Sequence, residues 1–376
     1  MSTGHQVGSL ENSANVSREN RGHIESRVSS HPDYDQHEEV VFCDTRDLNA
    51  IIAIHNSNLG PAVGGCRIFP YASQRQALAD VLRLSRGMTF KSAMAEIEFG
   101  GGKSVIIADP SRDKSENMML AMGEFIDSLG GRYIAAEDSG TSVADIQVMA
   151  RRTNHVSGFV ADEQHLGDPS PRTALGVFLG IQQAVNHRLG TSLSGVSVGV
   201  QGAGNVGFHL ASLLNQAGAK VILADMNQRK VDRARSELGL NSCSPEEILQ
   251  ADVDVLAPCA LGGIINRETI DGIRAGIIAG AANNQLATED MGEALLDRGI
   301  LYAPDYVINA GGIIDIYYQQ IAVRDGHKIE SHLEIIPHNL AKIFAESVVQ
   351  NRATNRIADE MARQKFFRPQ LQSVPG

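Results

Sequence analysis

The stretch that most limits the fold of this chain runs from residue 195 to residue 225. It holds a short apolar segment, a glycine-rich turn with the sequence GAGNVG at 202–207, a helical pattern of apolar residues and a second apolar segment. Parallel strands need a crossover connection, usually a helix, so this order predicts a βαβ unit. The chain is therefore expected to contain a parallel sheet with helices packed on it.

The glycines of this turn suit the binding of a dinucleotide. Gly202 permits a tight turn, Gly204 lets a pyrophosphate approach the backbone, and Gly207 lets the helix pack closely on the strand. The start of the helix offers free N–H groups and a positive dipole end to the phosphates. The residues between the glycines that belong to the same predicted site are Ala203, Asn205 and Val206.

Asp225 ends the second apolar segment, eighteen residues after Gly207. A carboxylate there is expected to accept hydrogen bonds from the adenosine ribose and to repel a 2′-phosphate, which favours NAD over NADP. Arg229 and Lys230 lie nearby and leave NADP open. Further strand-like runs at 253–257, 277–279 and 300–303 alternate with helical patterns, so the second half is predicted to be a doubly wound parallel sheet.

Composition narrows the class of protein. The 376 residues suffice for two domains, and the net charge of −11 argues against nucleic acid as a partner. No run of eighteen apolar residues exists, so no membrane span is expected. The four cysteines form no CxxC pair, which predicts reduced thiols, a cytoplasmic location and no metal site.

Domain limits follow from changes in composition. Residues 1–33 are polar and predict a disordered tail. A polar segment with two prolines, DEQHLGDPSP at 162–171, marks a boundary between a first domain at 34–165 and a nucleotide-binding domain at 166–325. Helical patterns at 326–376 are expected to pack back on the body.

Three charged residues of the first half are candidates for chemistry. Lys103 follows three glycines in GGGKS at 100–104, where bare backbone would admit a small charged substrate, although a glycine turn with a solvated lysine is the alternative. Asp138 follows a strand-like run, with a turn or capping residue as its alternative. Lys91 is predicted near the end of a helix that Ser73 opens, where a cation is also favoured by the helix dipole.

The residues alone also predict two kinds of loop. The segment LGPAVGGCR at 59–67 is predicted to be an exposed, tight segment and not a regular strand. Asparagines occur in loops at 281–286 and 304–312, after predicted strands, where side-chain amides would hold a ligand or form turns.

Several long motifs occur in one order along residues 37–320, and together they carry a resemblance to a known family. They are GPAVGGCR, LRLSRGMTFK, GGGKSVII, AEDSGTS, DPSPRTALGV, GAGNVG, APCALGGIIN, AGAANNQL and APDYVINAGG. This set resembles the amino acid dehydrogenases of the Glu/Leu/Phe/Val dehydrogenase family, most closely its leucine dehydrogenase branch. The resemblance implies an N-terminal α/β substrate and oligomerisation domain, a cleft, and a Rossmann-type NAD domain.

The resemblance also implies roles for particular residues. Lys91 would bind the substrate carboxylate, Lys103 would be the catalytic lysine, and Asp138 its acidic partner in proton transfer. Gly64 and Gly65 would lie against the substrate. The positions expected to line the nicotinamide and the amino acid are Thr173, Asn283, Asn284 and Asn309.

The implied side-chain pocket consists of Val63, Ala136, Ile313 and Ile316, all aliphatic. It favours a branched-chain amino acid, with a tilt toward shorter side chains such as valine, because isoleucine stands at 313 and 316 where leucine dehydrogenases more usually carry valine. The partners implied are the amino acid, the 2-oxo acid and ammonia, and a homo-oligomer, either octamer or dimer. The alternatives are an aromatic (Phe/Trp) amino acid dehydrogenase and a catalytically idle NAD-binding paralogue.

Overall fold

The chain forms two separate sheets. A computed structural model describes it over residues 28–158, 168–260 and 262–367. The first sheet has the order β1-β2-β4-β3-β5. β2 runs antiparallel to β1 and β4, and β3 runs parallel to β4 and β5. Its strands are β1 (Glu39–Asp44), β2 (Asn49–Asn56), β3 (Ala62–Phe69), β4 (Gly100–Ile107) and β5 (Tyr133–Glu137).

The glycine-rich segments of the first half are strands, which corrects one expectation and excludes one alternative. GGGKS opens β4, so its glycines form no turn, and Lys103 lies inside the strand. The segment predicted to be exposed and irregular contributes most of β3, which is buried. A Cβ on Gly64 would lie 1.8 Å from the carbonyl oxygen of Gly102, so the two backbones approach more closely than side chains allow.

Three helices cover the first sheet, and serines begin all of them. These are α1 (Gln74–Ala95), α2 (Glu116–Asp127) and α3 (Val143–Met149). The hydroxyls of Ser73, Ser115 and Ser142 each accept a backbone N–H at the N-terminus, as expected for N-caps. α1 continues to Ala95, one turn beyond the predicted end, so Lys91 lies within the helix.

Alternation along the strands decides which side chains face α1. Ile51, Ala53 and Val105 share one apolar cluster with residues of α1. Ile52 and Ile106, at the intervening positions, pack with α2 and α3 on the other face. Lys103 lies two residues before Val105 and therefore faces the side of α1.

The second sheet is entirely parallel, with the order β11-β10-β9-β6-β7-β8. Numbered from its own first strand this is the doubly wound order, so the predicted fold class is confirmed. Its strands are β6 (Ser197–Gln201), β7 (Lys220–Ala224), β8 (Asn241–Ser242), β9 (Val255–Pro258), β10 (Ile277–Ile278) and β11 (Leu301–Tyr302).

The helices of the second half surround this sheet and end on the first half. They are α4 (Ser170–Leu189), α5 (Asn205–Gln216), α6 (Gln228–Leu238), α7 (Met291–Asp297), α8 (Asp305–Ile308), α9 (Gly311–Gln320), α10 (Gly326–Leu333), α11 (Ile335–Gln350) and α12 (Thr354–Phe366). α11 packs on α4, and α12 packs on α1. Arg86 of α1 donates to Asp359 of α12 at 2.8 Å, and Asn58 donates to the carbonyl of Phe366 at 3.0 Å. The last helix therefore fastens onto the first half.

The predicted limits meet the described residues only in part. Val28 is 7% exposed and belongs to the apolar cluster of Ile51 and Leu78, so the packed chain begins before the predicted end of the tail at residue 33. Residues 1–27, the predicted boundary loop at 159–167 and residues 368–376 lie outside the described part. The domain boundaries stay predictions.

Two further searches cover the same described residues. None of their helices has both the length and the apolar character needed to cross a bilayer. Within those ranges, no group of three or more His, Cys, Asp and Glu side chains is arranged to hold a metal ion.

Candidate functional site

The glycine-rich turn between β6 and α5 has the geometry that a dinucleotide needs. Gly202 has a φ of +106°, a conformation that L side chains rarely adopt. A Cβ on Gly207 would lie 1.9 Å from the carbonyl oxygen of Gly202, whereas a Cβ on Gly204 would meet no atom within 4 Å. Packing therefore requires glycine at 202 and 207, while Gly204 borders open space beside the N-terminus of α5.

Asp225 lies at the end of β7, next to this turn. Its Oδ2 accepts the N–H of Ala203 at 2.7 Å, and its Oδ1 accepts the N–H of Asn227 at 2.7 Å. The carboxylate thus joins the turn to the start of α6. Each oxygen has a further lone pair for a ribose hydroxyl.

A buried ion pair lies on the face of the first sheet that looks toward α1. Lys103 Nζ is 2.5 Å from Asp138 Oδ2, and Lys103 is only 6% exposed. Burial opposes ionisation of the carboxyl group, but the charges of Lys103 and Arg67 outweigh it and lower the pKa of Asp138 to about 2. The pair therefore rests as an ammonium and a carboxylate.

Gly65 lies between the members of this pair. The register of β3 and β4 pairs Cys66 with Ser104, which brings Gly65 level with Lys103. A Cβ on Gly65 would lie 2.6 Å from Asp138 Cβ and 3.0 Å from Lys103 Nζ. A side chain at this position would press on both charged groups, so glycine lets the pair form beside the backbone of β3.

Arg67 is a member of the site that reading the sequence missed. Its Nε donates to Asp138 Oδ2 at 3.1 Å, and its other end bonds Asp80 of α1. The signal was available, because residues two apart in a strand share a face and Arg67 follows Gly65 by two. The sequence predicts an irregular segment at 59–67, to which the two-residue alternation of strands does not apply.

Lys91 connects the two halves of the molecule. Its Nζ donates to Asn283 Oδ1 at 3.1 Å, and Asn309 Nδ2 donates to the same oxygen at 2.8 Å. Burial and the nearby charge of Lys103 lower the pKa of Lys91 to about 8, although Asp305 and Asp138 oppose the change. The two asparagine loops therefore face the lysines across the cleft.

The polar side chains predicted to line the nicotinamide and the amino acid differ in whether they have hydrogen-bond partners within the chain. Asn309 is 4% exposed, and its Oδ1 is buried without a hydrogen-bond partner. Thr173 Oγ1 donates to the carbonyl of Pro169 at 3.0 Å. Asn284 has a φ of +52°, which asparagine tolerates better than most residues. The orphaned amide oxygen indicates room for a ligand that donates a hydrogen bond.

Asp305 is a second residue that the sequence did not single out. Its carboxylate accepts the N–H groups of Gln285 at 2.9 Å and Tyr306 at 2.6 Å. Burial raises its pKa, against the charge of Lys91 and those hydrogen bonds. Asp305 thus ties the loop that carries Asn283 to the start of α8.

The four predicted pocket residues lie in apolar surroundings. Val63 and Ala136 are on the same face of β3 and β5 as Gly65. Val63 and Ile313 are buried members of one apolar cluster, and the partly buried Ile316 packs against that cluster. No polar side chain is among them, so the geometry fits an aliphatic group.

An open cleft of about 1310 Å³ brings several of these groups together. Lys91, Lys103, Asn283 and Asn284 line it, and so does Arg67. The glycine turn, Asp225 and the pocket residues are not among its lining residues. A cleft with two lysines, one of them paired with a carboxylate, is suited to binding a small carboxylate and moving protons.

Comparisons with known proteins agree along most of the chain. Residues 37–155 match the family model described as the Glu/Leu/Phe/Val dehydrogenase dimerisation domain. Residues 169–227 and 223–366 match the model for Glutamate/Leucine/Phenylalanine/Valine dehydrogenase.

Individual relatives cover nearly the whole described chain. A leucine dehydrogenase of Geobacillus stearothermophilus is 46% identical over 333 residues, which are 88% of this chain and 90% of the relative. A valine dehydrogenase of Streptomyces virginiae is 42% identical over 342 residues, 89% of this chain and 95% of the relative. The crystal structure of L-tryptophan dehydrogenase from Nostoc punctiforme has a TM-score of 0.76 at 41% identity, covering 92% of this chain and 98% of that one.

Proposed function

Because this chain belongs to the Glu/Leu/Phe/Val dehydrogenase family, we propose that it catalyses NAD-dependent oxidative deamination of branched-chain L-amino acids, and the reverse amination. The chain is an amino acid dehydrogenase of the class that uses a pyridine nucleotide. The observation that carries the proposal is the Lys103–Asp138 pair, whose lysine lines one cleft with Lys91. Leucine and valine dehydrogenases among its relatives support the substrate class.

The proposed reaction begins with the substrate carboxylate on Lys91. A charged lysine at a half-buried position favours an anion, and Lys91 holds its proton below a pH of about 8. NAD, when bound, accepts a hydride from the substrate α-carbon, which leaves an imine. Gly65 has no side chain to press on Lys103 and Asp138, and it would lie against the substrate beside them.

Two residues then handle protons in the hydrolysis of the imine. Lys103 in its neutral form takes a proton from the water that attacks the imine carbon. Asp138 accepts and returns protons of the amino group, which departs as ammonia. Closure of the cleft would keep bulk water from the α-carbon during the hydride step.

The residues of the second half fit a pyridine dinucleotide. Open space over Gly204 suits a pyrophosphate, and the unpartnered Oδ1 of Asn309 suits the amide of the nicotinamide. Thr173 and Asn283 would border the same ring, and Asn284 the amino acid. The carboxylate of Asp225 supports NAD over NADP.

We expect substitutions at two glycines of the turn to have different effects, one on NAD binding and the other on stability. Gly204→Ala places a methyl group in empty space, so the protein folds normally while its Kd for NAD rises about tenfold or more. Gly207→Ala drives a methyl group against the carbonyl of Gly202 and lowers the melting temperature. Thermal unfolding and calorimetric titration with NAD distinguish the two. Normal NAD affinity in Gly204→Ala would contradict the proposed pyrophosphate position.

The pocket residues Val63, Ala136, Ile313 and Ile316 support an aliphatic substrate. Ile313 and Ile316 narrow the pocket, which tilts the preference toward valine. Formation of NADH at alkaline pH measures this with L-valine, L-leucine, L-isoleucine, L-phenylalanine and L-tryptophan. Since one methylene changes transition-state binding by about 1–3 kcal/mol, kcat/KM should differ about tenfold or more between branched-chain and aromatic substrates.

The same panel separates the alternatives. Turnover of aromatic amino acids alone would keep the chemistry but reject the pocket assignment, and the tryptophan dehydrogenase relative gives that outcome a specific basis. Absence of turnover with every substrate, together with normal NAD binding, would favour a catalytically idle paralogue. The presence of Lys91, Lys103 and Asp138 supports an active enzyme.

We also propose an oligomeric state and a cellular location. A match to a dimerisation domain supports a homo-oligomer, either octamer or dimer, which light scattering of the purified protein would measure. All four cysteines are free thiols, which supports the reducing cytoplasm, and cell fractionation tests that location.

A further inference from the structure

Arg67 occupies a position that the chemistry above does not use. We propose that Arg67, held by Asp80, is a positioning residue whose fixed positive charge keeps Asp138 paired while Lys103 gives up and regains its proton. The proposal rests on the proposed dehydrogenase activity. It adds two residues, Arg67 and Asp80, to the machinery of proton transfer.

The inner contact is direct. Arg67 Nε and Lys103 Nζ both reach Asp138 Oδ2, at 3.1 Å and 2.5 Å. One carboxylate oxygen therefore lies between two cations, in a place where burial disfavours an unpaired charge. A neutral Lys103 would leave Asp138 without its nearer partner, and Arg67 is already in position to remain.

The outer contact fixes the guanidinium. Arg67 Nη1 donates to Asp80 Oδ2 at 3.0 Å, and the hydroxyl of Tyr71 donates to that same oxygen at 2.5 Å. Asp80 comes from α1, whereas Asp138 follows β5. The planar guanidinium spans these two carboxylates, which a lysine ammonium on a flexible stem would not reproduce.

The charges alternate along this row, from Lys103 through Asp138 and Arg67 to Asp80. Burial disfavours the charge on Arg67, but Asp138 and Asp80 outweigh it and raise the pKa of the guanidinium, which stays charged throughout the working range. The other titratable groups that interact with the pair are Lys91 from α1, the Cys66 thiol of β3, and Tyr133 and Glu137 of β5. Burial raises the pKa of Cys66 to about 12, so the thiol is neutral and adds no charge beside the pair.

This arrangement predicts opposite signs for two substitutions. Without the charge of Arg67, Asp138 holds the proton of Lys103 more firmly, and a higher pH is needed to free the base. Without the charge of Asp80, Arg67 acts on the pair with its full positive charge, and a lower pH suffices. A purely structural role for Arg67 and Asp80 gives no reason for the signs to differ.

The experiment compares the pH profiles of kcat/KM for L-valine deamination by the full-length enzyme and four variants. Arg67→Gln should lower kcat about 10²-fold and move the midpoint of the rising limb up by about one pH unit. Asp80→Asn should move the midpoint down by about half a unit, since Asp80 is farther from Lys103. Arg67→Lys keeps the charge and should restore the midpoint while kcat stays reduced. Arg75→Gln, an exposed arginine of α1 outside the cleft, removes the same charge and should match wild type.

The results divide cleanly. Opposite shifts for Arg67→Gln and Asp80→Asn, with NAD affinity unchanged, would support the proposal. Midpoints that stay at the wild-type value, or move in the same direction, would overturn it and leave the dehydrogenase activity standing. If Arg67→Gln does not fold, the sign for Asp80→Asn decides alone. Absence of turnover by the wild-type enzyme on every amino acid would overturn both proposals.

Discussion

Lys103→Ala is expected to lower kcat for deamination about 10³-fold, a loss within the range that general acid–base catalysis supplies. The proposed base is removed, and no other lysine is in contact with Asp138 among the described residues. The carboxylate keeps Arg67 as its partner at 3.1 Å, so the substitution should not leave a buried charge without a counterion. The glycine turn belongs to the other half, so NAD should bind normally.

Steady-state kinetics together with NAD titration test this expectation. Lys114→Ala is the matched control, because Lys114 pairs with Asp145 at 2.8 Å and does not line the cleft. It should retain wild-type kcat. More than a tenth of wild-type kcat in Lys103→Ala would remove Lys103 from the chemistry.

Gly65→Ala should lower kcat/KM about 10²-fold or more, since displacing reacting groups by about 1 Å is enough for such a loss. The added methyl group would lie 2.6 Å from Asp138 Cβ and 3.0 Å from Lys103 Nζ. These atoms belong to the buried pair, so the methyl group must displace it. The change adds one carbon and alters no charge.

Gly276→Ala provides the matched control for this substitution. A Cβ at Gly276 would meet no atom within 4 Å, and the residue does not line the cleft. Its kcat/KM should equal that of the wild type. A Gly65→Ala enzyme with unchanged kcat/KM and unchanged melting temperature would show that the substrate does not pass over Gly65.

The second half could be predicted from sequence because its signals are local. The glycine turn and the apolar runs that precede and follow it lie within thirty-one residues, and each glycine has the conformation or contact expected of it. Asp225 is the partial exception. It lies at the predicted strand end, yet its oxygens also hold the N–H groups of Ala203 and Asn227.

The first half was harder because its glycine-rich strands owe their form to tertiary pairing. Glycine has a low intrinsic preference for strands, so the sequence predicts an irregular segment at 59–67 and leaves a glycine turn as the alternative for GGGKS. In the structure these backbones lie against each other, and the close approach of Gly64 to Gly102 explains the glycine. The end of α1 was missed because its C-cap is Glu96 in a left-handed conformation, where a glycine would have been a signal.

Contacts between the halves were beyond the reach of sequence patterns. Lys91 and Asn283 are 192 residues apart, and their hydrogen bond depends on how the two sheets are placed. The motifs include both residues, but they do not indicate that the amide oxygen of Asn283 accepts hydrogen bonds from both Lys91 and Asn309. Arg67 illustrates a different limit, since period-two alternation would have placed it in the site once β3 was recognised as a strand.

The packing of α12 on α1 has a consequence for how the chain is made. Synthesis proceeds from the N-terminus, so the first sheet and α1 emerge long before α12 does. Until then Asp359 and Phe366, which bond Arg86 and Asn58, have not been translated, and Arg86 has only its earlier partner Asp35 at 2.8 Å. The first half therefore leaves the ribosome with one face of α1 uncovered, and that face is closed only when α12 has been synthesised.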